Sequence, residues 1–289
     1  MNYEKAIENI RTELREYINK NNIKALVMGI SGGIDSCLCA ALARPICDEL
    51  NIPLIGRSLP MSTNKKDEID RAKLTGEVFC TDFKEENLQN LYDLTKLYVE
   101  ENEKEIDTKQ RISIRNGNIK ARIRMIYLYN LASKYNGMVL STDNYTEFLL
   151  GFWTLHGDVG DYGMIQELWK TEVYDMAEYL AIYEVQEHDR RQALILTINA
   201  MATDGLGVTS MGDLGQIMPD FEGTSRDGYR EVDSILIAWE DQDSPFLEGD
   251  ITKEMIINKF LDTPVIQRHL RSEFKRNNPI NIKRSKITH

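Results

Sequence analysis

Short apolar runs alternate with segments of helical spacing over the first two thirds of the chain. The apolar runs predict strands at residues 25–28, 53–59, 78–83 and 138–140. Apolar residues that recur every three or four positions predict helices over residues 2–20, 35–50, 65–74, 84–105, 118–135 and 170–182. From Gln186 onward the pattern is one of helices and loops. Because alternating strands and helices are typical of parallel βαβ units, we predict an α/β fold, a Rossmann-like open parallel sheet with helices on both faces and a helical C-terminal part.

Three further predictions concern the number of domains, a break in the chain and the buried side of one helix. No Pro/Gly/Ser linker, internal repeat or low-complexity tract interrupts the chain, so a single domain is predicted over residues 1–289. Asn116-Gly117 is a typical turn pair and is predicted to break the chain ahead of the helix over residues 118–135. The helix over residues 84–105 is predicted to bury the side that carries Leu88, Leu91, Leu94 and Leu97.

A glycine-rich turn follows the first predicted strand. Ser31-Gly32-Gly33 permits a tight turn with positive φ, and a helix opens at Asp35-Ser36. In such a strand–turn–helix unit the free N–H groups and the helix dipole converge on one point, which favours a bound phosphate. Ser31 and Ser36 can donate hydroxyls, and Asp35 can hold a magnesium ion. No Gly-Lys-Ser/Thr follows, so the usual P-loop lysine is absent.

Two other interpretations of this turn stay open from the residues alone. Gly29-Ile30-Ser31-Gly32-Gly33 also fits the nucleophile elbow of serine hydrolases, with Ser31 as nucleophile. The histidines at 156, 188 and 269 all lie downstream, so chain order allows it. The turn could also serve only to pack one helix on one strand.

Composition narrows the classes of partner. Asp and Glu total 46 against 35 Lys and Arg, and the net charge of −11 argues against a nucleic-acid surface. The N-terminus is charged and amphipathic, and no apolar run reaches membrane-spanning length. We therefore expect a cytoplasmic protein with no membrane partner. The cysteines show neither a disulfide pattern nor metal-ligand spacing and are interpreted as small apolar residues at positions 37, 39, 47 and 80.

Polar residues follow a second strand, where Ser141-Thr142-Asp143 leads to Glu147 one helical turn on. Ligands of open parallel sheets bind beyond the carboxyl ends of the strands, at the point where strand order reverses. If the two strands are neighbours, Asp35 and Glu147 can share a magnesium ion on a triphosphate. The alternative for each carboxylate is ordinary helix capping or a solvated face.

Longer motifs carry a resemblance to a known family. SGGIDS resembles the loop of the PP-loop ATP pyrophosphatases, and three further blocks, GNIKARIRMIYLYNLAS, STDNYTEFLLGFWTLHGDVGD and LWKTEVYDMAEYL, resemble successive signatures of ammonia-dependent NAD synthetases. FKRNNP stands where that family has HKR-x-x-P. The resemblance implies the adenine nucleotide alpha hydrolase type of Rossmann-like fold. It covers nearly the whole chain, and it is weakest over residues 84–115 and 186–234.

The resemblance also implies roles for individual residues. It assigns magnesium to Asp35 and Glu147, and catalytic roles to Asp35, Lys170 and Asp161, with Lys170 on the phosphates. Our own hypothesis is that Asp161 orients or deprotonates the incoming ammonium. It assigns deamido-NAD to Arg122, Asp161, Lys275 and the neighbouring position of Phe274. It assigns ATP to Gly29, Ile30, Ser31, Gly32, Gly33, Ile34, Asp35, Ser36, Thr142, Lys170 and Thr203.

Several positions depart from the family's pattern. Leu155 stands where the family usually has a substrate-binding lysine, and Phe274 replaces a histidine. Val159 replaces a glycine, and Met164 and Ala202 replace prolines. The lost lysine bears on the contacts to deamido-NAD and leaves the ATP site unaffected.

The implied activity is ATP-dependent amidation of deamido-NAD by ammonia, through an acyl-adenylate, to NAD, AMP and pyrophosphate. ATP is then a co-substrate, Mg²⁺ a cofactor, and a homodimer is implied. Free ammonia is the expected donor, because residue 2 is Asn2 and every cysteine falls in a predicted helix or strand. Another PP-loop ligase and a non-catalytic adenine-nucleotide-binding module remain alternatives.

Overall fold

The computed structural model describes residues 1–100, 107–203, 212–241 and 253–287. Within these ranges five parallel strands form one sheet in the order β3-β2-β1-β4-β5. The strands are β1 (Leu26–Gly29), β2 (Leu54–Ser58), β3 (Asp82–Glu85), β4 (Met138–Ser141) and β5 (Tyr162–Gly163). β1 and β4 are neighbours, since Leu26 lies opposite Met138, so the condition for a site shared by their two ends is met.

Helices cover both faces of the sheet, as predicted. Those of the first part of the chain are α1 (Tyr3–Asn21), α2 (Ile34–Leu50), α3 (Lys66–Phe79), α4 (Gln89–Val99), α5 (Lys109–Lys134) and α6 (Tyr145–Leu150). They are followed by α7 (Lys170–Tyr179), a π-helical turn (Leu180–Glu184), α8 (His188–Ile198), α9 (Gly212–Ile217), α10 (Ser225–Glu240), α11 (Lys253–Phe260), α12 (Pro264–Arg271), α13 (Glu273–Arg276) and a 3-10 turn (Arg284–Lys286).

The alternation of strand side chains separates two buried layers. Leu26 and Met28 pack with α1 and α2, in a cluster that extends to Ile266 of α12. Val27 points to the opposite face, where it packs against Ala132 of α5. Both faces are therefore apolar, as parallel sheets require. The division into domains, predicted as one, stays a prediction.

The predicted strand at residues 78–83 is shifted in the structure. Helix α3 continues to Phe79, and β3 begins only at Asp82. The buried positions Ala72, Gly76 and Phe79 follow helical spacing and pack on the core, so Phe79 belongs to the helix rather than to a strand.

The long helix predicted over residues 84–105 is wrong in extent and in burial. Lys84 and Glu85 belong to β3, α4 spans Gln89–Val99, and residues 101–106 lie outside the described part. Leu88 is buried, but the leucines at 91, 94 and 97 are 46%, 53% and 74% exposed. Helical spacing identified a common face, which the described residues leave largely exposed.

The predicted break at Asn116-Gly117 is also wrong. Both residues lie inside α5, which runs without interruption from Lys109 to Lys134. Gly117 is buried there, so packing of the helix outweighs the turn propensity of this pair. Among the described residues, no helix is both long enough and apolar enough to span a bilayer.

Candidate active site

A cavity of about 300 Å³ opens at the carboxyl ends of β1 and β4. β1 is central, with β2 on one side and β4 on the other, so strand order reverses between β1 and β4. This is the position predicted for a ligand. The turn after β1 lines the cavity from Gly29 to Asp35, together with Thr142, Glu147, Lys170 and Thr203.

Close packing holds the glycine turn in one conformation. Gly32 has φ of +83°, and a Cβ there would lie 2.2 Å from the carbonyl oxygen of Glu68 in α3. Arg71, also in α3, donates from Nε to the carbonyl of Gly32 at 3.0 Å. Only glycine combines this backbone conformation with so close an approach. The neighbouring Gly33 has a φ of −90° and does not need this freedom.

The two serines of the turn form hydrogen bonds within it. Ser36 Oγ donates to the carbonyl of Gly33 at 3.0 Å, and Ser31 Oγ accepts from the N–H of Gly33 at 3.2 Å. Ser36 is buried and does not line the cavity. Among the described residues no histidine pairs with Ser31; His269 lies against the carbonyl of Leu149 instead. The nucleophile-elbow interpretation therefore has no support.

Lys170 lies between the two predicted metal ligands. Its Nζ donates to Asp35 Oδ2 at 2.6 Å and to Glu147 Oε1 at 2.8 Å. The ammonium is almost fully buried, and the two carboxylates are only slightly exposed. The Nζ also lies 5.3 Å from the centre of the Tyr229 ring. Asp35, Glu147 and Lys170 thus form one charged cluster in the cavity lining, beside the glycine turn.

The electrostatics of this cluster follow from burial and mutual attraction. Burial acts to lower the pKa of Lys170, but Asp35 and Glu147 outweigh it and raise that pKa well above its ordinary value. Burial raises the pKa of Glu147, Lys170 lowers it, and Asp35 raises it further. The lysine is therefore held protonated.

Asn144 is a site residue that the sequence reasoning missed. It is fully buried, and its Nδ2 donates to Asp35 Oδ1 at 2.8 Å. Its Oδ1 accepts the N–H of Glu147 at 3.0 Å and caps α6. One side chain therefore fixes both carboxylates relative to each other. An asparagine just before a helix is a recognisable capping signal, but its contact with Asp35 bridges 109 positions.

The residues predicted to contact deamido-NAD lie outside the cavity lining. Asp161 is held by the hydroxyl of Tyr129 at 2.9 Å and by the N–H of Val139 at 2.9 Å. Arg122 donates to the carbonyl of Leu155 at 3.2 Å. Their substrate roles stay predictions.

The same holds for the two predicted residues near the C-terminus. Lys275 donates from Nζ to the carbonyls of Gly151, at 2.6 Å, and Trp153. Phe274 is exposed. The structure thus brings the predicted ATP and metal residues together and places this second group elsewhere.

Arg124 and Asp158 are two of the charged residues that line the cavity without having been assigned to it. Arg124 donates from Nε to the carbonyl of Leu59 at 3.1 Å, and Asp158 accepts the N–H of Thr154 at 2.6 Å. Burial raises the pKa of Asp158. Both lie in the segments that resemble NAD synthetase signatures, but spacing alone does not show which side chains of those segments face the cavity.

Comparison with known proteins decides the family. A model of the NAD synthase family matches residues 6–189. The chain belongs to the NAD synthase family. It is 31% identical over 283 residues to the NH3-dependent NAD(+) synthetase of Thermoplasma volcanium, covering 97% of this chain and 98% of that protein.

Solved structures share the fold of this NAD synthase family member. NMN synthetase from Francisella tularensis is similar with a TM-score of 0.73 and 22% identity, covering 98% of this chain and 99% of that one. NH3-dependent NAD synthetase from Campylobacter jejuni has a TM-score of 0.67 and 23% identity, covering 98% and 100%. These likenesses confirm the Rossmann-like α/β fold.

Proposed function

We propose that this NAD synthase family member amidates deamido-NAD with ammonia, consuming ATP and releasing AMP and pyrophosphate. The single observation that carries the proposal is Lys170 between Asp35 and Glu147 at the glycine turn. Relatives that match along nearly the whole chain are NH3-dependent NAD(+) synthetases, which favours this activity over another PP-loop ligase or a non-catalytic module. A cytoplasmic location is part of the proposal.

The first step activates the substrate's carboxylate. One carboxylate oxygen attacks the α-phosphorus of ATP, the bond to the bridging oxygen breaks, and pyrophosphate leaves with its electron pair. The first N–H groups of α2 bind the phosphates, because the N–H groups of Ser31 and Gly33 already donate to Ser36 Oγ and Ser31 Oγ within the turn. Lys170 brings a fixed positive charge to the leaving group, where charge grows in the transition state. Thr142 and Thr203 line the same cavity.

The second step forms the amide. Ammonia attacks the acyl carbon of the adenylate, AMP leaves, and one proton must go to a base. Asp161 was predicted for this task, but both its oxygens already accept hydrogen bonds. The role remains with Asp161 in this proposal, and Arg122, Lys275 and Phe274 retain their proposed contacts with deamido-NAD.

The donor set at Asp35 and Glu147 fits magnesium. Among the described residues no group of three acidic, histidine or cysteine side chains could hold a metal. Mg²⁺ commonly uses only one or two carboxylates and completes its shell with phosphate oxygens and water. Asp35 and Glu147 supply two such carboxylates beside the cavity. Bound there, the ion would neutralise charge on the triphosphate.

A homodimer is the proposed assembly. Leu91, Leu94 and Leu97 of α4 are exposed, as is Ile126 of α5, against which α4 packs. Large apolar side chains exposed on two helices that pack together are candidates for an interface between protein chains. The family resemblance implies that the dinucleotide lies at a two-fold interface. In such a dimer, the partner subunit would cover the apolar side chains that the described residues leave exposed.

The experiment that tests the function is a pyrophosphate-release assay with product analysis. Complete reactions contain ATP, magnesium, deamido-NAD and ammonium, and each component is omitted in turn. We expect release only in the complete mixture, with NAD and AMP as products. Asp35→Asn is expected to abolish turnover but keep the fold, because an amide is a poorer magnesium ligand. Release without NAD formation, or only with nicotinate mononucleotide as the carboxylate, would overturn the proposed substrate.

A further inference from the structure

Asp233 is a buried carboxylate that the proposed mechanism does not use. It lies on α10, is 2% exposed, and belongs to the part of the chain beyond the residues matched by the family model. Its Oδ1 accepts from Thr146 Oγ1 at 2.6 Å, and its Oδ2 accepts from the N–H of Thr171 at 2.8 Å. Burying a carboxylate costs free energy unless both of its oxygens accept hydrogen bonds, as they do here.

The two partners of Asp233 are the chain neighbours of the charged cluster. Thr146 precedes Glu147 in α6, and Thr171 follows Lys170 at the start of α7. The hydroxyl of Thr146 donates its proton to Asp233 and accepts the N–H of Lys170 at 2.9 Å. One carboxylate and one hydroxyl thus satisfy the first two N–H groups of α7, which no bond within the helix can satisfy.

This arrangement ties together the helices that carry Glu147 and Lys170. Helix α6 supplies Glu147, α7 supplies Lys170, and Asp233 bonds to both helices from a third. Negative charge at the N-terminus of α7 is also favoured by the helix dipole. A shift between α6 and α7 would change the 2.8 Å distance between Lys170 Nζ and Glu147 Oε1.

We propose that Asp233 is a positioning residue that, through Thr146 and the N-terminus of α7, holds Lys170 against Glu147 and Asp35. The proposal rests on the proposed function, because the cluster is taken to serve ATP. Asp233 acts through other residues, and it lies outside the cavity lining. Because Asp233 positions the cluster that is taken to serve ATP, its substitution should change the binding and activation of ATP. The affinity for deamido-NAD should stay unchanged.

Three substitutions test the role. Asp233→Asn keeps the size of the side chain, but its amide nitrogen cannot accept, so one of the two donors loses its partner. Thr146→Val removes the hydroxyl, and Thr146→Ser retains it. Because small misplacements of a catalytic group cost up to about 100-fold in rate, we expect kcat for pyrophosphate release to fall about tenfold or more in the first two variants. The KM for deamido-NAD should not change, and Thr146→Ser should restore most of kcat.

A control separates positioning from general stability. Leu14→Ala creates a cavity at a fully buried position of α1, a helix that carries no residue of the charged cluster. Rates are measured well below the melting temperature of every variant, and calorimetry measures binding of magnesium–ATP. We expect Leu14→Ala to lower the melting temperature and leave both kcat and magnesium–ATP binding near wild type.

The outcomes are distinguishable. Weaker magnesium–ATP binding and lower kcat in Asp233→Asn, without either effect in Leu14→Ala, support the proposal. The proposal is overturned if Asp233→Asn keeps the wild-type kcat and the wild-type affinity for magnesium–ATP. It is also overturned if Leu14→Ala, with a melting temperature similar to that of Asp233→Asn, loses as much kcat and affinity for magnesium–ATP. A wild-type enzyme that binds magnesium–ATP but does not amidate deamido-NAD would refute the proposed function alone, because the binding comparison still tests Asp233.

Discussion

Replacing Lys170 by methionine tests the charged cluster most directly. Lys170→Met keeps the length and apolar stem of the side chain but removes the ammonium that pairs with Asp35 at 2.6 Å and Glu147 at 2.8 Å. Two carboxylates then face each other in a slightly exposed site without a cation. We expect loss of stability at neutral pH and loss of turnover.

The size of the stability loss follows from these distances. At an effective dielectric constant of about 20, each pair attracts by about 6 kcal/mol at 2.6 and 2.8 Å. Desolvation of the three groups opposes this attraction, and removing one partner of a buried pair costs about 3–5 kcal/mol in practice. Domains are stable by about 5–15 kcal/mol, so the variant should still fold. Its melting temperature should fall by roughly 6–20 °C.

The loss should depend on pH in a defined direction. In the wild type Lys170 opposes the burial that raises the pKa of Glu147, so its removal lets that pKa rise further. A carboxyl whose pKa is higher in the folded than in the unfolded chain favours folding below the unfolded value, about 4.3, and loses this contribution as pH rises through the folded pKa. The difference in free energy of unfolding between wild type and Lys170→Met should therefore become smaller as the pH falls.

The assay is thermal unfolding of both proteins between pH 5 and 8, with pyrophosphate release at neutral pH. Turnover should fall about 100- to 1000-fold, as when one preorganised transition-state donor is removed. Lys73→Met is the matched control, because its pair with Glu77 spans 3.9 Å between exposed side chains; it should change stability by less than about 0.5 kcal/mol. If the melting temperature of Lys170→Met is as close to wild type as that of Lys73→Met, the reasoning is refuted. A loss of stability in Lys170→Met that grows as the pH falls would also refute it.

Three further predictions concern the turn, the interface and the nitrogen donor. Gly32→Ala should lose activity and stability, by about 1 kcal/mol or more from the left-handed backbone alone, whereas Gly33→Ala, which has room for a Cβ, should melt near wild type; equal melting curves would contradict the role of Gly32. In sedimentation at micromolar concentration the wild type should be a dimer and Ile126→Glu a monomer, with Met255→Glu as an exposed control; a monomeric wild type would remove the shared interface. NAD should form with ammonium and not with ammonia-free glutamine, because all four cysteines are buried and burial raises the pKa of each thiol; comparable rates with glutamine would require a glutaminase site.

Local features of this protein could be predicted because their causes are adjacent in the chain. The strand, the glycine turn and the helix from residue 26 to residue 50 follow one another, and Gly32 adopts the predicted positive φ. Parallel sheets bring all strand ends to one edge, so a ligand cavity at that edge was also predictable. Which strands are neighbours was not, and β1 pairs with β4 only in the folded sheet.

Tertiary structure decided what adjacency cannot encode. Lys170 meets Asp35 across 135 positions, and Asp233 meets Thr146 across 87, so no spacing rule relates them. Helical periodicity placed the leucines of α4 on one face, but whether a face is covered depends on what packs against it. The same physics explains Gly117, where burial within α5 outweighs turn propensity. The sequence by itself determined the strand, the glycine turn and the helix that follows it, whereas the packing of α6, α7 and α10 determined which charges meet beside that turn.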